Sequence, residues 1–183
     1  MIAVVLLMLV VPNLVIFFPD DPSLATETLN TQFHQNFFLG PANQVLGGGA
    51  MLIDTLSQYG VGSIYFLDAW FLVAPIGNGT LGFLEGVLAA GVFAVAYLTL
   101  RGAGVGRLLA PAAMTVGVIV LVLNLLYPIG ALLQHGALRF GLPIVLIAAA
   151  VLEARRPERA TLARAIGLLT VALASIWALE AFA

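Results

Sequence analysis

Residues Gly79 to Leu100 read GTLGFLEGVLAAGVFAVAYLTL and carry a single charge, Glu85. A helix needs about 20 apolar residues to cross the ~30 Å hydrocarbon core of a bilayer, and this run supplies them. In hydrocarbon every backbone N–H and C=O must be satisfied inside the segment, which selects a helix. The run lacks the period-two alternation of a barrel strand. Gly82, Gly86, Ala90 and Ala94 recur at every fourth position, setting small side chains on one face where a neighbouring helix can approach closely. The abundance of Gly and Ala would produce the same spacing without that role.

Four other stretches approach spanning length: Met1–Phe18, Leu108–Leu133, Phe140–Leu152 extended by its flanks, and Thr161–Ala183. A sixth, Val61–Ile76, is shorter, carries Asp68 and is bracketed by Gly60 and Pro75. The whole chain agrees with its parts: 62% of its 183 residues are hydrophobic, 9% are charged, and the mean hydropathy is +1.10. Soluble domains carry roughly 25% charged residues, so lipid must be the solvent for much of this surface. The expected fold is all-α, a polytopic transmembrane bundle of about five or six membrane helices. It forms one membrane domain over residues 1–183, with a membrane helix at 1–18, a loop bearing short interfacial helices at 19–60, and the bundle at 61–183.

Composition removes several chemistries. Cysteine is absent, and with it disulfides, thiolate metal sites and thiol nucleophiles. All seven basic residues are Arg and they form no dense patch, so nucleic acid is not an expected partner. The N-terminus has no basic leader and no A-x-A-like cleavage site before Phe17-Phe18-Pro19. A retained first membrane helix is expected there. No Walker, H-E-x-x-H, G-x-S-x-G or G-x-G-x-x-G pattern occurs.

The long polar stretch is Pro19–Gly60, with Asp20, Asp21, Glu27, Asp54 and His34 and no Arg. Leu29, Phe33 and Phe37 fall at helical spacing, with Asn30, His34 and Gln35 away from them. That pattern predicts a short amphipathic helix lying on the membrane surface. Gly40-Pro41 should break it, Pro41 suits the first turn of another short helix, and Gly47-Gly48-Gly49 should end that one. Arg101 and Arg107, then Arg155, Arg156, Arg159 and Arg164, mark two other connections. The positive-inside rule places both in the cytoplasm and the acidic loop outside. Two crossings between the loop and Arg101 would contradict that. Either Val61–Ile76 dips into the membrane without crossing, which is the reading adopted, or so few charges do not set topology.

Asp20 and Asp21 follow the first membrane helix at the water interface. A carboxylate there can act as a general base or bind a cation, although Asp-Asp-Pro-Ser is equally a turn and helix-start sequence. His34 lies in the same loop, and Asp54 and Gln58 share a helical spacing beside Tyr59. Such a gathering suits the docking of a polar headgroup. Asp68 is conspicuous because a carboxylate inside an apolar segment costs a few kcal/mol unless it faces a partner or water. Glu85 and Arg139 lie near the ends of apolar stretches, where structural pairing or snorkelling to the interface is the favoured explanation over function. His135 and Glu180 receive no role.

The loop also carries a resemblance. His34-Gln35-Asn36-Phe37-Phe38-Leu39-Gly40-Pro41, Val45-Leu46-Gly47-Gly48, Met51-Leu52-Ile53-Asp54, Ser57-Gln58-Tyr59-Gly60-Val61-Gly62 and Ile64-Tyr65-Phe66, followed later by Gly136–Pro143 (GALRFGLP), resemble polytopic bacterial membrane proteins of the GT-C glycosyltransferase superfamily. The resemblance implies a first loop on the extracytoplasmic face of the bacterial inner membrane. It implies a polyprenyl-phosphate-sugar donor and an acidic base or metal ligand, with a divalent cation as a possible cofactor. Carried onto this chain, Asp20 or Asp21 stands where the first-loop acid is expected, and Asp54 matches the acid after the glycine turn. Gln58-Tyr59-Gly60 leads into the second helix, His34 belongs to the motif without an assigned role, and Arg139 is a candidate phosphate partner. Catalytic candidates are therefore Asp20, Asp21 and Asp54, and substrate-binding candidates are His34, Gln58, Tyr59 and Arg139. Superfamily members are usually longer, so an N-terminal part of a longer enzyme is expected. Two other classes compete: a transporter or lipid flippase component working through Asp68 and Glu85, and a non-catalytic membrane scaffold.

Overall fold

The computed structural model describes residues 25–57, 59–121 and 136–177. The expected first membrane helix, with Asp20 and Asp21, lies outside the described residues, as do Gln58 and the second half of Leu108–Leu133. The described residues are all-helical: α1 (Ala25–Leu46), α2 (Val61–Phe71), α3 (Asn78–Gly102), α4 (Leu109–Leu121), α5 (Ala137–Arg155) and α6 (Ala160–Trp177), with a 3-10 turn at Pro157–Arg159. Three segments are long and apolar enough to cross a membrane: Asn78–Gly102, Ala137–Arg155 and Pro157–Trp177. Only 11% of the apolar window of the second and 17% of that of the third are buried inside the protein. A water-soluble monomer rarely exposes apolar patches beyond a few hundred Å², so these helices fit a membrane protein.

Side-by-side contacts fix the direction of each helix. Glu85, in the second turn of α3, accepts a hydrogen bond from the Ala137 N–H that opens α5 (2.8 Å). At the other end the Arg155 guanidinium of α5 donates to the Ala103 carbonyl beyond α3 (2.6 Å). The two helices therefore run parallel. α6 returns antiparallel, with Arg164 pairing to Glu153 at its start (2.7 Å) and Trp177 donating to the Leu138 carbonyl at its end. α4 also returns along α3, where Val118 packs with Ala89 and Ala90. Ala90 belongs to the small-residue face read from the sequence and Ala89 adjoins it; Gly82, Gly86 and Ala90 of that face are buried.

α2 has eleven residues, about 16 Å at 1.5 Å per residue, roughly half a hydrocarbon core. Both of its ends stay at the end of the bundle where α5 begins and α6 finishes. A Cβ on Gly62 would come within 3.0 Å of the Ile176 carbonyl, and the Phe66 ring lies 5.4 Å from that of Trp177. Further along, Leu67 and Phe71 join one core with Leu81 and Leu84 of α3. The 50–60 turn is attached to this end, and the Arg101–Ala103 and Arg155 connections meet at the opposite one.

The expected break at Gly40-Pro41 is overturned: α1 is a single helix of 22 residues running through Pro41. Proline removes one helical hydrogen bond and crowds the preceding turn. Phe38 and Ala42, one on each side of it, are fully buried against α2 and the turn, and this packing holds the two halves in line. Gln35, expected on the polar side, packs inward and is buried with Phe38 and Ala42. Leu29, Phe33 and Phe37 are exposed, which leaves them available to lipid, the role their spacing suggests. The glycine stop at 47–49 does form. Gly48 takes a left-handed φ of +96°, its N–H bonds to the Val45 carbonyl (2.9 Å), and the Gly49 N–H reaches Gln44 (2.9 Å). This is a Schellman motif.

Candidate functional site

Two sequence stretches 80 positions apart meet where α1, the turn and the start of α5 converge. Tyr59 is buried and stacks on Phe38, with ring centroids 4.5 Å apart and planes within 12°. The Arg139 guanidinium carbon, from the first turn of α5, lies 5.2 Å from the Tyr59 ring centre and 5.0 Å from that of Phe140. Cations above aromatic faces gain from the ring quadrupole, and more so when desolvated. Phe37 meets the same tyrosine edge-on at 6.2 Å, and His34 approaches Phe37 at 6.3 Å. An aromatic row thus leads from His34 to Arg139. Of the sequence candidates, the structure gathers His34, Tyr59 and Arg139.

Asp54 stands apart. It is exposed, and its Oδ2 accepts the Ala50 N–H at 2.8 Å while its own N–H bonds to the Ala50 carbonyl at 2.9 Å. Its demonstrable work is to close the 50–55 turn, the turn that holds Leu52 at φ +68°. Among the described residues no group of three His, Asp or Glu side chains could hold a metal ion.

Glu85 is buried, and one of its oxygens caps the first N–H of α5. A carboxylate at a helix N-terminus satisfies an orphan donor and complements the helix dipole. By seating that helix start, Glu85 fixes the turn from which Arg139 projects. Ser63 anchors the opposite side, its hydroxyl donating to the Tyr59 carbonyl at 3.0 Å and the Gly60 carbonyl at 3.2 Å. Gly60 itself has φ +90°, which lets the chain turn sharply between Tyr59 and α2.

Several buried polar atoms at this end have no hydrogen-bond partner among the described residues. They include both amide atoms of Gln35, both carboxyl oxygens of Asp68, Trp70 Nε1 and His34 Nδ1. Burial pushes the Asp68 carboxyl up from its ordinary 3.8 to about 6. A buried polar group left with no partner at all costs about 1–3 kcal/mol, so each of these calls for a partner beyond the described residues. Gln35 and Phe38 were the residues sequence reasoning missed. The spacing Gln35, Phe38, Ala42 is itself helical, but the more hydrophobic Leu29, Phe33, Phe37 series outweighs it.

No family model matches the chain, and no curated protein and no solved structure matches it.

Proposed function

We propose that the chain is a GT-C-like membrane glycosyltransferase, or the N-terminal part of one. It would transfer a sugar from a polyprenyl-phosphate donor to a lipid, glycan or protein acceptor at the extracytoplasmic face. The observation that carries this reading is the seat of Arg139 on Tyr59. It joins the two stretches of sequence that bear the family resemblance, and it puts a permanent cation at one end of a bundle of apolar helices. Phosphate attached to a membrane lipid needs such a cation there.

Chemically little else is demanded. A phosphate-linked sugar carries a good leaving group, so the protein must orient the acceptor, take its proton and balance the phosphate charge. Arg139 is assigned the phosphate, and a loop carboxylate (Asp20, Asp21 or Asp54) the acceptor proton. His34 and Gln58 are assigned polar contacts to substrate beside Tyr59. A divalent cation, if one takes part, would draw on the same loop acids. The bundle end bearing the arginine connections is assigned to the cytoplasm of the bacterial cell.

The test is sugar transfer from a polyprenyl-phosphate donor by the full protein in membranes. Arg139→Ala should abolish transfer, and Arg139→Lys should retain part of it, since the point charge survives without the planar fork. Full activity in Arg139→Ala, or in all of Asp20→Asn, Asp21→Asn and Asp54→Asn, would refute the assignment. A second reading, a transporter or flippase component, is favoured by Asp68, whose buried carboxyl lacks partners among the described residues. Loss of lipid or solute flux in Asp68→Asn, with transfer undetectable in the parent, would select it.

A further inference from the structure

A groove of about 330 Å³ runs between α3 and α5, lined throughout by apolar side chains and glycine. Gly91 and Val95 form one wall, Gly141 and Val145 the other, and Phe66 and Trp177 flank one end. The two glycines do different work. A Cβ on Gly141 would meet Val92 Cγ2 at 3.2 Å, so that glycine sets how closely the helices approach. A Cβ on Gly91 would meet nothing within 4 Å. Close packing does not require glycine at 91; the missing side chain is what keeps the groove open.

Depth decides what fits. Gly91 lies thirteen residues beyond Asn78 in a helix of 25 residues, about 20 Å along an axis of about 37 Å. That is mid-membrane. Apolar cavities stay dry, and the bilayer centre offers neither water nor headgroups, so hydrocarbon is the matching occupant. Gly91 and Val87 are exposed to the surroundings of the bundle, so the groove is continuous with the lipid-facing surface of the spanning helices. Along α3 it extends from Val87 to Val95, about 12 Å centred on Gly91, a length shorter than the ~15 Å thickness of one leaflet. Trp177, hydrogen-bonded to the Leu138 carbonyl, stands at the end nearer the start of α5 and marks the mouth by which a chain enters.

We propose that this groove is a lipid-binding site holding one acyl chain of a bilayer phospholipid, entering past Trp177 and ending near Val95 and Val145. The site goes beyond the transferase reading and does not depend on it.

The protein has two tryptophans, Trp70 and Trp177, so Trp70→Phe leaves a single reporter at the groove. The variant is reconstituted into phosphatidylcholine whose acyl chains are dibrominated at mid-length, and emission is compared with that in the unbrominated lipid. Trp177 should lose most of its emission. Adding Gly91→Phe, which fills the groove without meeting backbone, should restore it, and Val145→Phe should do the same from the opposite wall. Gly79→Phe, at another open position outside the groove, should leave quenching unchanged. Helical circular dichroism identifies folded variants, and at least one groove-filling variant must pass. Equal quenching with and without the groove-filling side chains would overturn the proposal. So would recovery of emission on adding long-chain polyprenyl phosphate at constant brominated lipid, which would give the groove to an isoprenoid instead.

Discussion

Arg139 and Asp54 were both candidates from sequence, and the structure gives them separable behaviour. Arg139 sits over Tyr59, in the first turn of a helix whose opening N–H is held by Glu85. Glu85→Gln keeps an oxygen acceptor for Ala137 and should leave the start of α5 seated at little cost. Glu85→Ala removes the acceptor and should cost about 1–3 kcal/mol, readable as a lower unfolding temperature in detergent. At Asp54 the side chain closes a turn through the Ala50 N–H. Asp54→Asn keeps an acceptor for that bond while removing the charge; Asp54→Ala removes both. Transfer lost in the alanine variant alone would make Asp54 a turn-former, and loss in both would make its charge matter. Asp68 gives a pH signature. Its native pKa is raised from 3.8 to about 6, so the folded state keeps the proton longer than the unfolded chain. Stability should fall as pH rises through that window, and the loss is complete above it. Asp68→Asn should flatten the dependence and raise stability above that window.

Among the elements, α1 and α2 show where sequence patterning succeeds and where tertiary packing overrides it. The glycine stop at 47–49 was legible because a left-handed position after a helix has few other solutions. The passage of α1 through Pro41 was not, because it depends on Phe38 and Ala42 finding a common surface on α2. The two elements yield different glycine predictions. Gly40 lies inside α1 with nothing beyond its own helix near an added Cβ, but the Pro41 ring crowds the Cβ of a helical residue before it. That crowding offsets the usual Gly→Ala gain, so Gly40→Ala should change stability by less than about 1 kcal/mol. A Cβ on Gly62 runs into the Ile176 carbonyl, so Gly62→Ala should destabilise by about 1–3 kcal/mol. Thermal unfolding of both variants checks the pair. The reverse order would mean that α2 does not rest on α6.

For the molecule as a whole, the apolar runs at 79–100, 140–152 and 161–183 announced the three spanning segments, since hydrocarbon length is a simple demand on composition. The site was less legible. Tyr59 and Arg139 are 80 positions apart in the chain, and nothing local in either segment specifies the meeting. Opposite faces for the loop and the arginine connections follow once α2 is too short to cross. The chain has no cysteine, so Leu56→Cys and Glu158→Cys can be labelled singly in intact cells. In the orientation proposed above, a membrane-impermeant maleimide should reach Leu56→Cys and spare Glu158→Cys until the membrane is permeabilised. Labelling of both before permeabilisation would place them on one side.

The parallel alignment of α3 and α5 bears on how the protein is made. Parallel neighbours cannot arise as a hairpin: the polypeptide must travel back across before the residue that Glu85 holds is synthesised, 52 positions later. During biogenesis the nascent α3 therefore enters the bilayer with its carboxylate unmatched, and that contact can close only after α5 emerges from the insertion machinery. Quality control in the cell should accordingly sense defects at Glu85 late, as turnover of full-length chains, while integration of the early segments proceeds normally.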